Sequence, residues 1–272
     1  MESFYARGGE VVSVGDLVHP GSYPLHSRFN RVVNFSATDH LISLVNEDVG
    51  AGPSHIVVRN ADLSQAGQTL AVTPAGAESG EIRLLFPEVE PFRSETEGDF
   101  TDEEMWNVVI RSLLSLASEK SAAFLLADST SIASNGGFEN NVAERIRTGA
   151  ELLRSGEWLE GVRLLRGVGF GLTPTGDDLV AGFLTGLNLK RVPRDRIEEL
   201  YAASLGENAI SNSLLFFAKE GRLFEGTKRL LDAIRRHAVA DIPPAVEGLL
   251  SRGATSGADF AVGLVLAIQQ AT

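Results

Sequence analysis

The chain contains no cysteine. This absence excludes thiol catalysis, disulfide bonds and thiolate metal sites, and it removes any argument for an oxidising compartment. The opening residues, MESFYARGGE, form no apolar signal core, and no apolar run reaches the ~20 residues that a membrane span needs. We therefore expect a cytoplasmic protein with no membrane partner.

Histidine is also scarce, with five residues of which no two have a metal-ligand spacing such as H-x₃-H. A zinc site is therefore not expected. The chain lacks a G-x-S-x-G elbow, and neither Ser211 nor Ser256 has a predictable histidine partner. Nucleophilic hydrolase chemistry consequently has no support in the sequence.

Positive charge is in deficit, because the net charge is −12 and residues 88–104 carry eight acids against Arg93 alone. A chain of this charge is not expected to bind nucleic acid. We interpret the acidic stretch as a solvated linker between domains, leading into a helix that Thr101 and Glu104 begin as a capping box. An acidic docking surface is the alternative.

Hydrophobic patterning divides the chain into two regions. Six β-rich runs separated by turn residues occupy positions 10–18, 31–37, 40–46, 54–60, 68–74 and 81–86. Helical patterns follow at positions 101–128, 139–153, 156–166, 176–190, 194–219, 223–237, 243–251 and 258–270. The sequence thus predicts an α+β protein. A β-rich N-terminal antiparallel sheet or small barrel spans residues 1–92, and an all-helical C-terminal domain spans residues 93–272.

One segment occurs twice, as GVGFGLTPTGDDLVAGFLTGL at 167–187 and, more faintly, as RGATSGADFAVGLVLAI at 252–268. The two copies align without a gap, and each places a hydroxyl, a glycine and an acid ahead of an apolar run. The aligned positions are Thr175, Gly176, Asp178 and Gly182 in the first copy and Ser256, Gly257, Asp259 and Gly263 in the second. Each copy is typical of a loop-to-helix junction, and a diverged duplication is one explanation.

Local chemistry supports such a junction. Thr175 is a favourable N-cap, and Asp177 and Asp178 suit the positive end of a helix that begins at about Gly176. Small residues follow each acid at i+4 and i+8, which allows two helix backbones to approach closely. If the two helices pack in the same direction, Asp178 and Asp259 converge in a shared polar site. A purely structural role for the acids remains the alternative.

The paired carboxylates limit what the junction could bind. No lysine follows the glycines as a Walker loop requires, and adjacent acids oppose a bare phosphate. A phosphate bridged by Mg²⁺, or a ligand with N–H and hydroxyl donors, is compatible. We predict Asp177 and Asp178 as catalytic residues, and both with Asp259 as candidate Mg²⁺ ligands. The predicted ligand-binding residues are Gly169, Gly171, Thr173, Thr175, Gly176, Ser211, Thr255, Ser256, Gly257 and Asp259, with Arg28 and Arg31 as an anion clamp.

The first copy of the repeated segment also resembles the signature of a known family. The stretch GLTPTGDDLVAG resembles the GLTPSGDD signature of an uncharacterised bacterial family, a domain of unknown function. The segments 26–35, 209–226 and 255–264 are similar to its other blocks. Some members are similar to AllH, a subunit of the oxamate carbamoyltransferase of anaerobic allantoin (purine) catabolism. The sequence departs from the family pattern at Thr175, where Ser is usual, and at Glu207 and Asn208, where the family tends to be Thr-rich.

The resemblance implies a subunit of a carbamoyltransferase-like complex that acts on a small acceptor such as oxamate. Its ligand would bind at the GLTPTGDD junction, and its partners would be other protein subunits or further copies of the chain. Two alternatives stay open. One is a Mg²⁺-dependent hydrolase of a nucleotide-like substrate, since threonine and paired aspartates on helices are similar to ADP-ribosylglycohydrolases. The other is a non-catalytic subunit with an effector-binding or structural role.

Overall fold

The computed structural model describes residues 9–86, 91–127, 137–251 and 253–270. The chain separates into two compact units. The first is Met1–Thr96 with Leu223–Glu225, and the second is Glu97–Arg222 with Gly226–Thr272. The domain boundary expected between residues 92 and 93 stays a prediction.

The first unit is built on one sheet, whose eight strands follow the order β1-β5-β4-β3-β2-β6-β7-β8 in the described residues. The strands are β1 (Glu10–Val14), β2 (Gly21–Arg28), β3 (Val32–Ser36), β4 (Leu41–Asn46), β5 (His55–Arg59), β6 (Thr69–Thr73), β7 (Gly76–Ser79) and β8 (Ile82–Leu85). Its two ends, β1 and β8, lie near each other, so that the sheet is nearly closed. The sheet or barrel expected from the sequence is confirmed.

Two details of this sheet differ from expectation. Neighbouring strands are antiparallel except β4 and β5, which pair in parallel. The β-rich runs also missed β2 and β7. The strand β2, GSYPLHSR, has no buried residue, and β7 has only four residues. Neither strand offers the apolar alternation on which strand prediction depends.

The second unit is helical, as expected, with nine α-helices in the described residues. They are α1 (Glu103–Leu116), α2 (Gly137–Arg154), α3 (Trp158–Leu165), α4 (Thr175–Leu189), α5 (Arg194–Ser204), α6 (Ala209–Lys219), α7 (Glu225–Arg235), α8 (Ile242–Leu250) and α9 (Ser256–Ile268). The helix α4 is buried on all sides from Thr175 to Leu187, and α9 is nearly as completely enclosed. Such helices form the centre of a core.

Two helix boundaries correct the sequence analysis. The helix predicted over residues 194–219 is two helices, because the Asn208 side chain caps a new start by accepting the N–H groups of Ile210 and Ser211. At α1 the capping box of Thr101 and Glu104 is wrong. Asp102 is the N-cap and accepts from the N–H of Glu104 at 2.9 Å. An aspartate at this position satisfies the same orphan donors.

The acidic stretch is exposed, as expected, at Glu95, Glu97, Asp99, Glu103 and Glu104, and its residues 88–90 lie outside the described ranges. Phe92 forms a β-bridge with Gly15, and Ser94 is completely buried. The Ser94 N–H donates to Asp16 Oδ2 at 2.9 Å. Phe92 and Ser94 are therefore packed within the first unit, whereas the acids after them lie exposed. None of the helices in the described ranges is long and apolar enough to cross a membrane.

Candidate functional site

The helices α4 and α9 pack backbone against backbone. A Cβ atom at Gly182 would lie 1.9 Å from the carbonyl oxygen of Phe260, and one at Gly263 would lie 1.9 Å from that of Leu179. One turn after Gly182, Gly186 lies against Leu264, so the two helices run in the same direction. The close approach expected from the small residues is confirmed, and the shared direction, which was the condition for the two acids to converge, is met.

The first turns of both helices repeat one contact. A Cβ at Gly176 would lie 2.0 Å from the carbonyl oxygen of Leu165, the last residue of α3. A Cβ at Gly257 would lie 2.1 Å from the carbonyl oxygen of Leu249, near the end of α8. Each glycine thus lets its helix begin directly against the end of the preceding one. The pairs α3–α4 and α8–α9 share this geometry, which supports a diverged duplication.

The loop at residues 167–174 crosses the start of α4. Gly169 has a φ of 121°, and a Cβ there would lie 2.6 Å from the N atom of Thr175, so only glycine fits. Asp177 Oδ1 accepts the N–H of Gly167 at 2.7 Å. Asp177 therefore ties the loop to the helix. The loop exposes two apolar side chains, Phe170 at 56% and Leu172 at 54%.

The hydroxyls at the two helix starts do not cap their own helices. Pro174 and Thr255 are the N-cap residues, and neither side chain makes a capping hydrogen bond, so the N-cap role predicted for Thr175 is wrong. The helix starts one residue earlier than expected, and each hydroxyl lies instead beside the acid of the opposite helix. Thr175 lies beside Asp259, and Ser256 lies beside Asp178.

Thr173 completes the contacts of Asp178. Its Oγ1 donates to Asp178 Oδ2 at 2.9 Å and lies 3.1 Å from the Oγ of Ser256. The Thr173 side chain is half-buried, whereas Asp178 is 1% exposed. Thr173 and Ser256, which is also half-buried, are therefore both more exposed than the acid that they contact.

Burial dominates the electrostatics of Asp178. Loss of solvent raises the pKa of Asp178 well above its usual value, against the opposing effect of the Ser256 and Thr173 hydroxyls. The negative charges of Asp259 and Asp177 raise it further. Asp178 therefore tends to hold a proton.

Asp259 is completely buried as well, and burial raises its pKa to about 6. The N–H of Ala122 and the hydroxyls of Thr255 and Thr175 oppose this rise by favouring the charged form. Asp259 Oδ1 accepts the N–H of Ala122 at 2.6 Å. The Thr255 and Thr175 hydroxyls lie beside the same carboxyl group, although its buried Oδ2 has no hydrogen bond of ordinary geometry. Sequence reasoning missed Ala122, since a backbone donor leaves no signal in residue types.

The burial of Asp178 and the nearby charge of Asp259 favour a protonated Asp178, which gives the site a carboxyl group that can donate a hydrogen bond. Within the described ranges, no group of three or more His, Cys, Asp or Glu residues is arranged to hold a metal ion. The Asp177 carboxylate is already engaged by Gly167. The Mg²⁺ site expected from Asp177, Asp178 and Asp259 stays a prediction.

The start of α6 adjoins the same loop. The side-chain amide of Asn208 donates to the carbonyl oxygen of Leu172 at 2.7 Å. Ser211, in the first turn of α6, is 1% exposed, and its Oγ makes no hydrogen bond. Asn208 was not among the predicted site residues, although an asparagine before an apolar run is a recognisable helix-start signal.

The two arginines predicted as an anion clamp lie in the first unit, where both have partners. The Arg28 guanidinium donates to the carbonyl oxygens of Leu63, Ser64 and Ala66, at 3.3, 2.9 and 2.7 Å. Arg31 forms an exposed ion pair with Asp48 at 2.8 Å. These contacts are structural, and the ligand role of both residues stays a prediction.

Two family models match the chain. The model for the oxamate carbamoyltransferase subunit AllH matches residues 165–268, which include both junctions. The model for the AllH family N-terminal domain matches residues 10–86, which hold the whole sheet. Together they span about two thirds of the chain. The matched family carries a functional name, so the expectation of a domain of unknown function does not hold. No curated protein and no solved structure matches the chain.

Proposed function

Since the chain belongs to the AllH family, we propose that it is a subunit of a carbamoyltransferase-like complex acting on a small acceptor such as oxamate. Its partners are then the other subunits of that complex, and its pathway is allantoin catabolism. The ligand binds where α4 and α9 begin, within the region that matches the AllH subunit.

The observation that carries this site is the buried cluster of crossed acids and hydroxyls. Asp178 and Asp259 are 1% and 0% exposed, and both have raised pKa values. Buried ionisable groups are costly and are concentrated at functional sites. A buried carboxylate oxygen without a hydrogen bond of ordinary geometry, such as Asp259 Oδ2, adds to this cost. A ligand that supplies the missing hydrogen bond offsets it.

Different residues have different tasks in this proposal. Asp178 and Asp259 contact the acceptor, whose amide nitrogen attacks the carbamoyl carbon of carbamoyl phosphate. The N–C bond forms as the C–O bond to phosphate breaks, phosphate leaves with the bonding pair, and the carboxylate form of the pair takes the proton that the nitrogen releases. Thr173 orients Asp178. Asp177 is a positioning residue, because it holds the loop through the Gly167 N–H and does not contact the acceptor. The glycines of the loop let its backbone pass close to the ligand.

A second candidate function is a non-catalytic subunit with an effector-binding or structural role. The complete burial of Asp178 and Asp259 favours the structural role, because neither acid reaches solvent in this structure. The Mg²⁺-dependent hydrolase has less support, since the described residues contain no cluster of metal ligands.

Coexpression with candidate partner subunits tests the proposal. Carbamoyl transfer between carbamoyl phosphate and oxamate is measured for the wild type and for Asp178→Asn and Asp259→Asn. We expect each variant to lose roughly 10²-fold or more in turnover, because either change prevents proton exchange within the pair. Folding stability, measured by urea unfolding, should not fall in parallel.

Asp177→Asn is the matched control, because asparagine can still accept the Gly167 N–H and keep the loop in place. Its turnover should stay within about tenfold of wild type. If turnover and stability fall together in the Asp178 and Asp259 variants, the acids are structural. If no partner combination transfers a carbamoyl group, the proposed function is wrong.

A further inference from the structure

The loop at residues 167–174 lies between solvent and the buried acid Asp178. Its side chains Phe170 and Leu172 are 56% and 54% exposed, whereas Asp178 is 1% exposed. Between them, the half-buried Thr173 donates its hydroxyl to Asp178 Oδ2 at 2.9 Å. Because Asp178 itself does not reach solvent, a ligand can contact it only after a covering group has moved. Thr173 is such a group.

The backbone of this loop has room for that movement at one end and is fixed at the other. A Cβ at Gly169 would lie 2.6 Å from the N atom of Thr175, so the base of the loop is held tightly. Gly171 has a φ of 100°, and outside its chain neighbours the nearest atom to a Cβ there would be the Thr173 carbonyl oxygen at 3.6 Å. A glycine in such open space changes its backbone angles at little cost.

A side chain from α6 holds the mobile end of the loop. The Asn208 Oδ1 accepts the N–H groups of Ile210 and Ser211, at 3.0 and 3.2 Å. Its Nδ2 donates to the carbonyl oxygen of Leu172 at 2.7 Å. The donors on one side and the carbonyl on the other fix the orientation of the amide. Since Leu172 directly precedes Thr173, this contact also sets the position of Thr173 over Asp178.

Asparagine at position 208 does more than helix capping requires. Serine, threonine and aspartate also cap helices well. Only asparagine adds an NH₂ group that can donate to a second partner while its oxygen accepts from the helix. The Asn208 side chain therefore joins the start of α6 to the loop that covers Asp178.

We propose that residues 170–173 form a lid over Asp178 and that Asn208 is the positioning residue that holds this lid closed. Opening breaks the hydrogen bonds from Asn208 to Leu172 and from Thr173 to Asp178, and it lets a ligand reach the start of α4. Because burial is the main cause of the raised pKa of Asp178, the closed lid also keeps this acid protonated. The inference rests on the proposed function for the ligand, whereas the lid itself can be tested without one.

Labelling of the Asp178 carboxyl group by a water-soluble carbodiimide and glycinamide tests the lid directly. Peptide mapping by mass spectrometry gives the labelling rate at this residue. Asn208→Ser keeps a capping oxygen but loses the donor to Leu172, so Asp178 should be labelled roughly threefold to tenfold faster, as expected for the loss of one hydrogen bond. Asn208→Asp should be labelled faster still, because it sets a carboxylate against the Leu172 carbonyl oxygen.

The same helix start supplies a matched control. Asn212 makes two hydrogen bonds with Gly206, at 3.0 and 2.9 Å, and both lie in the connection before α6. In Asn212→Ser, Asp178 should be labelled as slowly as in wild type. Labelling is repeated in urea below about 1 M. Opening of a short lid exposes little surface, so its rate should hardly change, whereas labelling through global unfolding rises steeply with urea.

Binding of oxamate connects the lid to the proposed function. Titration calorimetry is performed on the purified chain and on the chain coexpressed with its partners. A ligand that needs the open lid binds more tightly when the lid is open more often, so Asn208→Ser should raise the affinity by roughly threefold to tenfold. A purely structural contact would have the opposite effect, because its loss weakens the site.

Each outcome supports or overturns the inference. If wild type and both Asn208 variants are labelled equally fast at Asp178, the lid is wrong. If Asn212→Ser accelerates labelling as much as Asn208→Ser, or if the rate rises steeply with urea, the role of Asn208 is wrong. If oxamate binds Asn208→Ser more weakly than wild type, the lid does not control ligand entry. If labelling follows our expectation but oxamate binds neither sample, the lid stands and the proposed function is overturned.

Discussion

Gly182 is where α4 and α9 meet most closely, and replacing it with alanine tests the architecture of the site. The new Cβ would lie 1.9 Å from the carbonyl oxygen of Phe260 and 2.9 Å from the N atom of Leu264. Both atoms belong to backbone inside a helix and cannot rotate away. The helices must therefore separate by more than about 1 Å to restore an ordinary contact.

The expected cost follows from this geometry. Forcing an extra carbon into a well-packed core costs about 1–3 kcal/mol, and a clash with backbone belongs at the upper end. The higher helix propensity of alanine offsets up to about 1 kcal/mol of that cost. We expect Gly182→Ala to lower the free energy of unfolding by about 2 kcal/mol. In a chain of this size the melting temperature should fall by roughly 4–8 °C.

The chain contains a matched control. Gly248 lies within α8, and a Cβ there would meet nothing within 4 Å. Gly248→Ala should raise the free energy of unfolding by about 0.5–1 kcal/mol, because it gains helix propensity without a clash. Both variants are measured by urea unfolding, and oxamate binding is measured beside it. Gly182→Ala should weaken binding, since separated helices no longer hold Asp178 beside Asp259.

The symmetric change gives a further check. Gly263→Ala should cost about as much as Gly182→Ala, because its Cβ would also lie 1.9 Å from a carbonyl oxygen. The double variant should cost less than the sum, since the first substitution already separates the helices. If Gly182→Ala is as stable as Gly248→Ala, then α4 and α9 do not make this contact and the convergence of the two acids has no basis.

Two more predictions concern single side chains. The pKa of Asp259 is about 6 in the folded chain against a usual 3.8, so its stabilising contribution is complete below about pH 3.8 and is lost as pH rises through about 6. Asp259→Asn should therefore stabilise the chain by up to about 3 kcal/mol at pH 8 and hardly at pH 4, and an equal effect at both pH values in urea unfolding would refute the assignment. Arg28→Gln should lower the free energy of unfolding by about 1–3 kcal/mol through its lost carbonyl contacts, whereas Arg31→Gln should change it little. Equal effects of the two arginine variants would contradict the structural role of Arg28.

The sequence predicted a close approach of α4 and α9 because small residues repeat at i+4, and Gly182 and Gly263 make that contact. The shared direction of the two helices was a condition of that prediction, since residue size does not determine it. The two-part α+β division followed equally from hydrophobic periodicity. These features are encoded locally, and a single chain suffices to reveal them.

The missed features depend on tertiary placement. Thr175 and Ser256 have the chemistry of helix caps, yet they lie beside the acid of the opposite helix. This contact between a hydroxyl and the acid of the opposite helix forms only when two helix starts lie side by side. The break before α6 was missed for a different reason. Gly206 and Asn208 signal it, but the strong helical pattern on both sides concealed a short turn.

Comparison of the two copies of the repeat distinguishes an acid that only stabilises a helix start from an acid that belongs to the proposed site. Parallel helices present their positive ends together, and a carboxylate near each end gains about 0.3–1 kcal/mol. The second copy has Ala258 at the position of Asp177, so it omits one acid that would have supplied this gain. It has Asp259, whose burial costs more free energy, at the point where the two helices cross next to Asp178. Stability alone would favour the opposite choice, because a buried carboxylate with an unsatisfied oxygen costs more than the dipole returns. The buried pair at 178 and 259 is therefore the observation on which our proposal of a ligand at this site depends.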